Sequence, residues 1–407
     1  MRAALALFLF STAALHGADL ALTGATVYPA PAAQGIPDAV IVIHNGHIAA
    51  VGPRAVVPIP SGTRVLDCSG KFIVAGFWNS HVHIFTPVLL HARDASVGEL
   101  NEQLDTMFNR CGFTTVYDIA SVLANTLALR RRIESGELRG PHILTVGEPL
   151  WTEPPIYVRD YLTSNGIQIP VVTSAQDARA RVKALGKDGA NGVKLFTGSL
   201  QANGKVSNMP LEMVRAGVEE AHRDNLPVFA HPQNVEGLEV AIRGGVDILA
   251  HTAPDSPPWT PEFVARLRRA HMALIPTLTL FDFEARKAGA SDEEREQWID
   301  KMVSELRAFS QGGGEVLFGT DIGYTDHYDT ALEFTLMSRA GMTLDQILAS
   351  LTTNPARRFG FSGKCGRVEK GTDADLVVAD DDPAKDVTAL SKVRFTIRQG
   401  TIVYSSP

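Results

Sequence analysis

Between residues 72 and 321, short apolar runs alternate with longer stretches of helical periodicity. The runs fall at 72–83, 113–119, 142–146, 192–196, 227–231, 246–251, 273–280 and 315–321. Short, near-continuous apolar runs of this kind suit strands buried on both faces. Stretches such as LEMVRAGVEEAHRDN and NVEGLEVAIRGG lie between them, with apolar residues three and four apart and polar residues opposite. That is the amphipathic helix pattern. Strand and helix in alternation imply parallel pairing through right-handed crossovers. Eight such units over about 250 residues match an α/β fold, the (β/α)8 TIM barrel. The competitor is an open doubly wound sheet. No Gly-rich fingerprint follows the first strand, which weakens a nucleotide-binding reading.

The flanks have a different pattern. LALTGATVYP, AVIVIHNGHIAAVG and TRVLDCSGKFIVAG near the start are short and β-rich, as are GRVEKGTDADLVVAD and KVRFTIRQGTIVY near the end. Asn45–Gly46 is a hairpin turn signal. A small β-sandwich built from both chain ends, residues 19–71 and 362–407, accounts for these segments and leaves 72–361 to the barrel. Residues 1–18 read as a secretory signal peptide: Arg2, an uncharged apolar run over 3–14, then small residues including Ala13, Gly17 and Ala18. The run is shorter than the roughly 20 apolar residues a membrane span needs. The expectation is therefore an exported protein, periplasmic or secreted, with no stable membrane span once the leader is removed.

Composition adds little: 407 residues, 45% hydrophobic and 20% charged, are ordinary for a globular chain. A net charge of -7 without blocks of like charge argues against nucleic acid as the main partner. With 7% aromatics there is no platform for a sugar polymer. A small-molecule substrate is the expected partner, and homo-oligomerisation stays open. Cys68, Cys111 and Cys365 form neither a disulfide framework nor a CxxC metal site. One bridge or buried free thiols fit equally.

The chemistry sits at the strand ends. FWNSHVHIF places His81 and His83 at i and i+2, on the same side of a strand and about 7 Å apart. This suits two ligands for one ion, or a buried pair bonded to carbonyls. NGVKLF carries Lys194, PVFAH ends at His231, VDILAH at His251 and EVLFGTD at Asp321. Taken singly, each has an ordinary explanation: a satisfied core histidine, an aspartate capping the next helix, a lysine reaching to solvent. The C-terminal ends of barrel strands, however, ring one mouth. Five strands then deliver four histidines, a lysine and an aspartate to one rim, a metal-binding set. His142 and His271 begin their strands, at the opposite face, and His222 lies on a helix.

With those residues placed, the chain resembles the amidohydrolase superfamily, metal-dependent hydrolases with a binuclear centre at the barrel mouth. The likeness covers essentially everything after the leader, including LTTNPARRFG and GRVEKGTDADLVVAD near the end. GVKLFTGS and GTDIG resemble the imidazolonepropionase-related and Xaa-Pro dipeptidase-like enzymes. The resemblance implies two divalent metal ions. His81, His83 and Asp321 would hold the more buried ion, His231 and His251 the second. Lys194, carboxylated by CO2, would bridge both. Burial and two cations disfavour its ammonium form, which ordinarily persists to a pKa of about 10.4. Zn2+ fits such ligands, and Mn2+, Co2+ and Fe2+ share them. The implied reaction is hydrolysis of an amide or related C–N bond, in a dipeptide, N-acyl amino acid or cyclic amide. The nucleophile is a hydroxide shared by the metals, with Asp321 as general base and then acid.

Substrate choice falls to the loops. GEPLWTEPPIYVRDYLTSNG, after the third strand, reads as a lid in which Tyr157 or Arg159 binds a carboxylate, or as ordinary surface packing. Tyr324 and His327 follow Asp321 and are candidate substrate contacts, with His91 a weaker one. A buried Arg or Tyr near the metals favours a dipeptide or N-acyl amino acid. An apolar pocket favours a lactam, ester or cyclic amide. Two alternatives compete. A mononuclear imidazolonepropionase-like or deaminase-type hydrolase lacks the lysine bridge, so Lys194 speaks against it. A non-catalytic metal-loaded binding protein should have lost ligands, and here the set is complete.

Overall fold

The first apolar run is two strands, not one. In the computed structural model, which describes residues 19–407, Phe72–Ala75 and Phe77–Val82 are separate elements. Gly76 divides them. A Cβ there would lie 2.3 Å from Thr114 Oγ1, so only glycine lets the chain pass so close. Phe72–Ala75 pairs antiparallel with Leu376–Ala379 and belongs to the terminal sheet. Phe77–Val82 pairs in parallel with Phe113–Asp118. The barrel strands thus begin at Phe77, not at residue 72 as the apolar pattern implies. The expected signal peptide at 1–18 lies outside the described residues.

Eight parallel strands follow in chain order: Phe77–Val82, Phe113–Asp118, His142–Thr145, Val193–Phe196, Val228–His231, Ile248–Leu249, Ala273–Leu274 and Glu315–Val316. The first three form one arc and the other five a second. Isolated bridges join the arcs on both sides, Leu150 to Leu195 and Val82 to Ile322. Backbone N–H groups support each seam: Leu150 donates to Lys194 O at 2.8 Å, and His83 to Ile322 O at 2.8 Å. Every residue of Phe113–Asp118 and Val193–Phe196 is buried. Helices cover these strands outside and side chains fill the space inside, which is why they read as unbroken apolar runs. The architecture is the α/β arrangement of a TIM barrel, with two ladders joined by bridges.

The seventh run departs from expectation. Its ladder stops at Leu274, the chain turns at Thr277 (φ 45°), and Leu278–Lys287 is helical. The buried carboxylate of Glu333 explains the early start. It accepts the N–H groups of Leu278 and Thr279 at 2.9 and 2.8 Å, capping the new helix with an acid. The loop after the third strand also holds a helix, Ile156–Ser164.

The two chain ends assemble into one mixed eight-stranded sheet. The N-terminal side gives Leu20–Val27, Ile36–His44, His47–Pro53, Arg64–Asp67 and Phe72–Ala75; the C-terminal side gives Leu376–Ala379, Val393–Arg398 and Thr401–Ser405. Asn45 and Gly46 both take positive φ, at 49° and 80°, in the two-residue hairpin their sequence signals. This sheet has its own apolar cluster, including Leu22, Ile41, Val378 and Ile397. The three cysteines are buried free thiols, so no bridge forms among them. Among the described residues no helix is long and apolar enough to cross a membrane.

Candidate metal centre

The strand-end side chains meet in one cavity. His81, His83, Lys194, His231, His251 and Asp321 all line it. The histidines form a row, with ring centroids 5.2 Å apart for His83 and His81, 4.5 Å for His81 and His251, and 4.8 Å for His251 and His231. Three of them are anchored from behind. His81 Nδ1 lies 2.9 Å from Ala250 O, His83 Nδ1 2.9 Å from Ala120 O, and His251 Nδ1 2.7 Å from Thr277 Oγ1. An imidazole that donates through Nδ1–H keeps a lone pair on Nε2. All three Nε2 atoms face Asp321: 3.3 Å from His81 and 2.8 Å from His83 to Oδ1, and 4.0 Å from His251 to Oδ2. His231 is turned differently. Its Nε2 lies 3.0 Å from the Tyr157 hydroxyl.

These atoms fit a cation better than they fit one another. His81 Nε2 and Asp321 Oδ1 are buried without a hydrogen-bond partner, although they lie 3.3 Å apart. Each such orphan costs about 1–3 kcal/mol. One ligand atom each from His81, His251 and Asp321 lies within 4.8 Å of the others. Neutral imidazoles with a carboxylate suit Zn2+ and similar ions. Carbonyls and a hydroxyl behind the rings fix their tautomers, as second-shell partners of metal ligands do.

Protonation states agree with this. Burial pushes His81 down to about 4 and His231 to about 3, and holds His251 well below its ordinary value. Burial also lowers Lys194 to about 7, so much of its amine is unprotonated near neutrality. For Asp321 burial works upward, but His81 and His83 outweigh it and hold the carboxyl well below the usual range.

The backbone around Asp321 is shaped for close approach. Asp321 itself has φ 62°, a left-handed conformation that aspartate tolerates better than most residues. A Cβ on Gly319 would lie 2.7 Å from His81 Cβ, and one on Gly323 would lie 2.0 Å from His83 O. The glycines of GTDIG therefore let the segment after the eighth strand press against the HxH segment.

Several supporting residues have no obvious signal in the sequence. Thr277, in a left-handed conformation rare for a β-branched residue, holds His251, and Glu333 fixes the two N–H groups that follow it. Asp118 ends the second strand but is no ligand. It is buried and accepts hydroxyls from Ser121, Thr145 and Thr126 at 2.5, 2.8 and 3.1 Å. The strand-end rule could have found Asp118, but not its role.

The substrate candidates divide. Tyr157 and Tyr324 line the cavity, with rings 5.7 Å apart. Arg159 does not line it. Its guanidinium is held by Pro154 O at 3.1 Å and Gln201 Oε1 at 2.7 Å, so the expected carboxylate contact is not supported. His327 is exposed on its loop and outside the cavity wall, as is His91. The wall is mainly apolar and aromatic, with Phe85, Trp151, Phe196, Phe281 and Trp298 among its residues.

Comparison with known proteins agrees with this geometry. The Amidohydrolase family profile matches residues 72–403, and the chain belongs to that family. It is thus a metal-dependent hydrolase of carbon–nitrogen bonds. It is 22% identical to a dihydroorotase of Syntrophus aciditrophicus, covering 94% of this chain and 98% of the relative. It is also 22% identical to an imidazolonepropionase of Porphyromonas gingivalis, covering 90% of each. The fold superimposes on a Xaa-Pro dipeptidase crystallised with methionine in its active site, at TM-score 0.82, 23% identity, and 96% and 100% coverage.

Proposed function

We propose that this chain is an exported amidohydrolase with a binuclear metal centre, acting on an amide within an apolar substrate. The two arcs are read as one (β/α)8 barrel, and the terminal sheet as a small β-sandwich. The observation that carries the functional reading is the buried, unpaired pair His81 Nε2 and Asp321 Oδ1 inside a row of four histidines.

In this reading His81, His83 and Asp321 hold one ion, His231 and His251 the other. When bound, two divalent cations acidify water and polarise a carbonyl. The chain's own residues then do the rest. Asp321, ionised and free at Oδ1, takes the proton from the attacking water and delivers it to the leaving nitrogen. The Tyr157 hydroxyl, 3.0 Å from His231 Nε2 at the cavity wall, would turn to the carbonyl oxygen once that nitrogen is given to an ion. Lys194, whose amine burial brings to a pKa of about 7, attacks CO2 in its neutral form through the nitrogen lone pair and loses a proton to solvent. The resulting carbamate would offer one negative charge shared over two oxygens where the amine offered one lone pair.

The apolar wall and the turned-away Arg159 favour cyclic amides or amides of apolar amines over substrates with a free carboxylate. A mononuclear centre is the second reading, because one ligand atom each of His81, His251 and Asp321 lies within 4.8 Å of the others. The test is a hydrolysis screen of the zinc-reconstituted protein with lactams, N-acyl amino acids, Xaa-Pro dipeptides and lactones. Amide cleavage that disappears with chelator and returns with Zn2+ is the expected result. No cleavage of any amide by the reconstituted protein contradicts the assignment.

A further inference from the structure

Opposite the histidine row, the cavity wall carries a carboxylate that the hydrolytic reading does not use. Glu284 lies in the second turn of Leu278–Lys287 and lines the same cavity. Its Oε1 accepts the Tyr324 hydroxyl at 2.6 Å. Lys287 Nζ approaches this same oxygen at 3.7 Å and the Tyr324 hydroxyl at 3.3 Å. Both neighbours therefore crowd Oε1, and Oε2 has no hydrogen-bond partner among the described residues. The glutamate side chain is 31% exposed and that of Lys287 51%, so the lysine faces out and the carboxylate faces the mouth.

Aromatic rings surround this acid. Tyr157 and Tyr324 meet edge to face at 5.7 Å, and Phe283 and Tyr324 at 6.1 Å. Trp298, 48% exposed, stands at the cavity wall from the next helix, Asp292–Gln311. Such an environment disfavours a second anion. A substrate carboxylate would meet Glu284, and the nearest cation, Lys287, is already engaged by Glu284 Oε1 and the Tyr324 hydroxyl. A protonated amine meets an open carboxylate oxygen beside the Tyr157 ring, while Lys287 Nζ already sits over the Phe283 and Tyr324 rings, 5.7 and 5.1 Å from their centroids.

We infer that Glu284 and Tyr324 form a subsite for a protonated amine on an otherwise apolar, aromatic substrate. This rests on the amide-hydrolase reading only in placing the scissile bond at the histidine row; the subsite itself is defined by the wall. A charge-assisted hydrogen bond inside an apolar cavity is stronger than a neutral one, so the amine should be distinguished from its neutral isostere.

The experiment uses zinc-reconstituted enzyme and two uncleavable probes of equal shape, 2-phenylethylamine and 2-phenylethanol, titrated at pH 7 by calorimetry. The expected result is about tenfold tighter binding of the amine. Glu284→Gln brings the two probes to parity. Lys287→Met, which removes the competing cation, increases the preference for the amine. Equal binding of both probes by the unaltered enzyme, or a preference that survives Glu284→Gln, overturns the subsite. If Glu284→Gln does not fold, Lys287→Met still decides, because a fall or no change in the preference contradicts the proposal. Neither probe is hydrolysed, so this readout stands apart from turnover. Turnover is followed separately with N-acetylphenylalaninamide, whose cleavage bears on the hydrolase reading alone.

Discussion

Asp321→Asn lowers kcat by about 10²–10⁴-fold. Asparagine keeps the shape and one oxygen but cannot take a proton. Contact with His81 and His83, at 3.3 and 2.8 Å, outweighs burial and holds the Asp321 carboxyl well below the usual range. Asp118, the acid at the end of the second strand, is not free to replace it, because it is tied to three hydroxyls. Metal analysis of the variant accompanies the kinetics. Loss of rate with the metal content of the unaltered enzyme places the effect on proton transfer. Equal loss of rate and metal places it on ligation. A variant within tenfold of full activity removes Asp321 from the mechanism.

Lys194→Ala abolishes activity at the detection limit and reduces the bound metal by at least one ion per chain. Lys194 is 1% exposed, pairs with Phe229 and holds its Nζ 5.5 Å from the Phe196 ring centroid, on the strand that forms the seam between the two arcs. A charged ammonium is costly there, and burial lowers its pKa to about 7. An unmodified amine could be retained in a neutral state, but it would serve two cations poorly. Enzyme prepared without bicarbonate should therefore gain metal and activity when bicarbonate is added, and Lys194→Ala should show neither gain. Retention of two ions and of activity by the variant would rule out the bridge.

Much of the barrel is visible in the sequence because its strands are covered on both sides and read as apolar runs. The candidate ligands are visible because barrel geometry collects strand ends at one rim. What the chain hides is set by side-chain direction and by local strain. Gly76 splits the first run for a steric reason that lies 38 residues away at Thr114. Reading 273–280 as a strand misplaces the start of the next helix, which Glu333 and the left-handed Thr277 set at Leu278. That shift conceals Glu284, which faces the cavity only in the correct helical register. Arg159 was a reasonable candidate by residue type, but its partners Pro154 and Gln201 turn it away. Trp298 reaches the cavity from Asp292–Gln311, a helix that follows the shifted one.

The central claim is that side chains from five separate strands close around a pair of ions. Anomalous diffraction at the zinc edge from crystals of reconstituted, active enzyme tests it most directly. The account predicts two peaks per chain, one within ligand distance of His81, His83 and Asp321 and one beside His231 and His251. A single peak, or none at this rim, in fully active protein contradicts it.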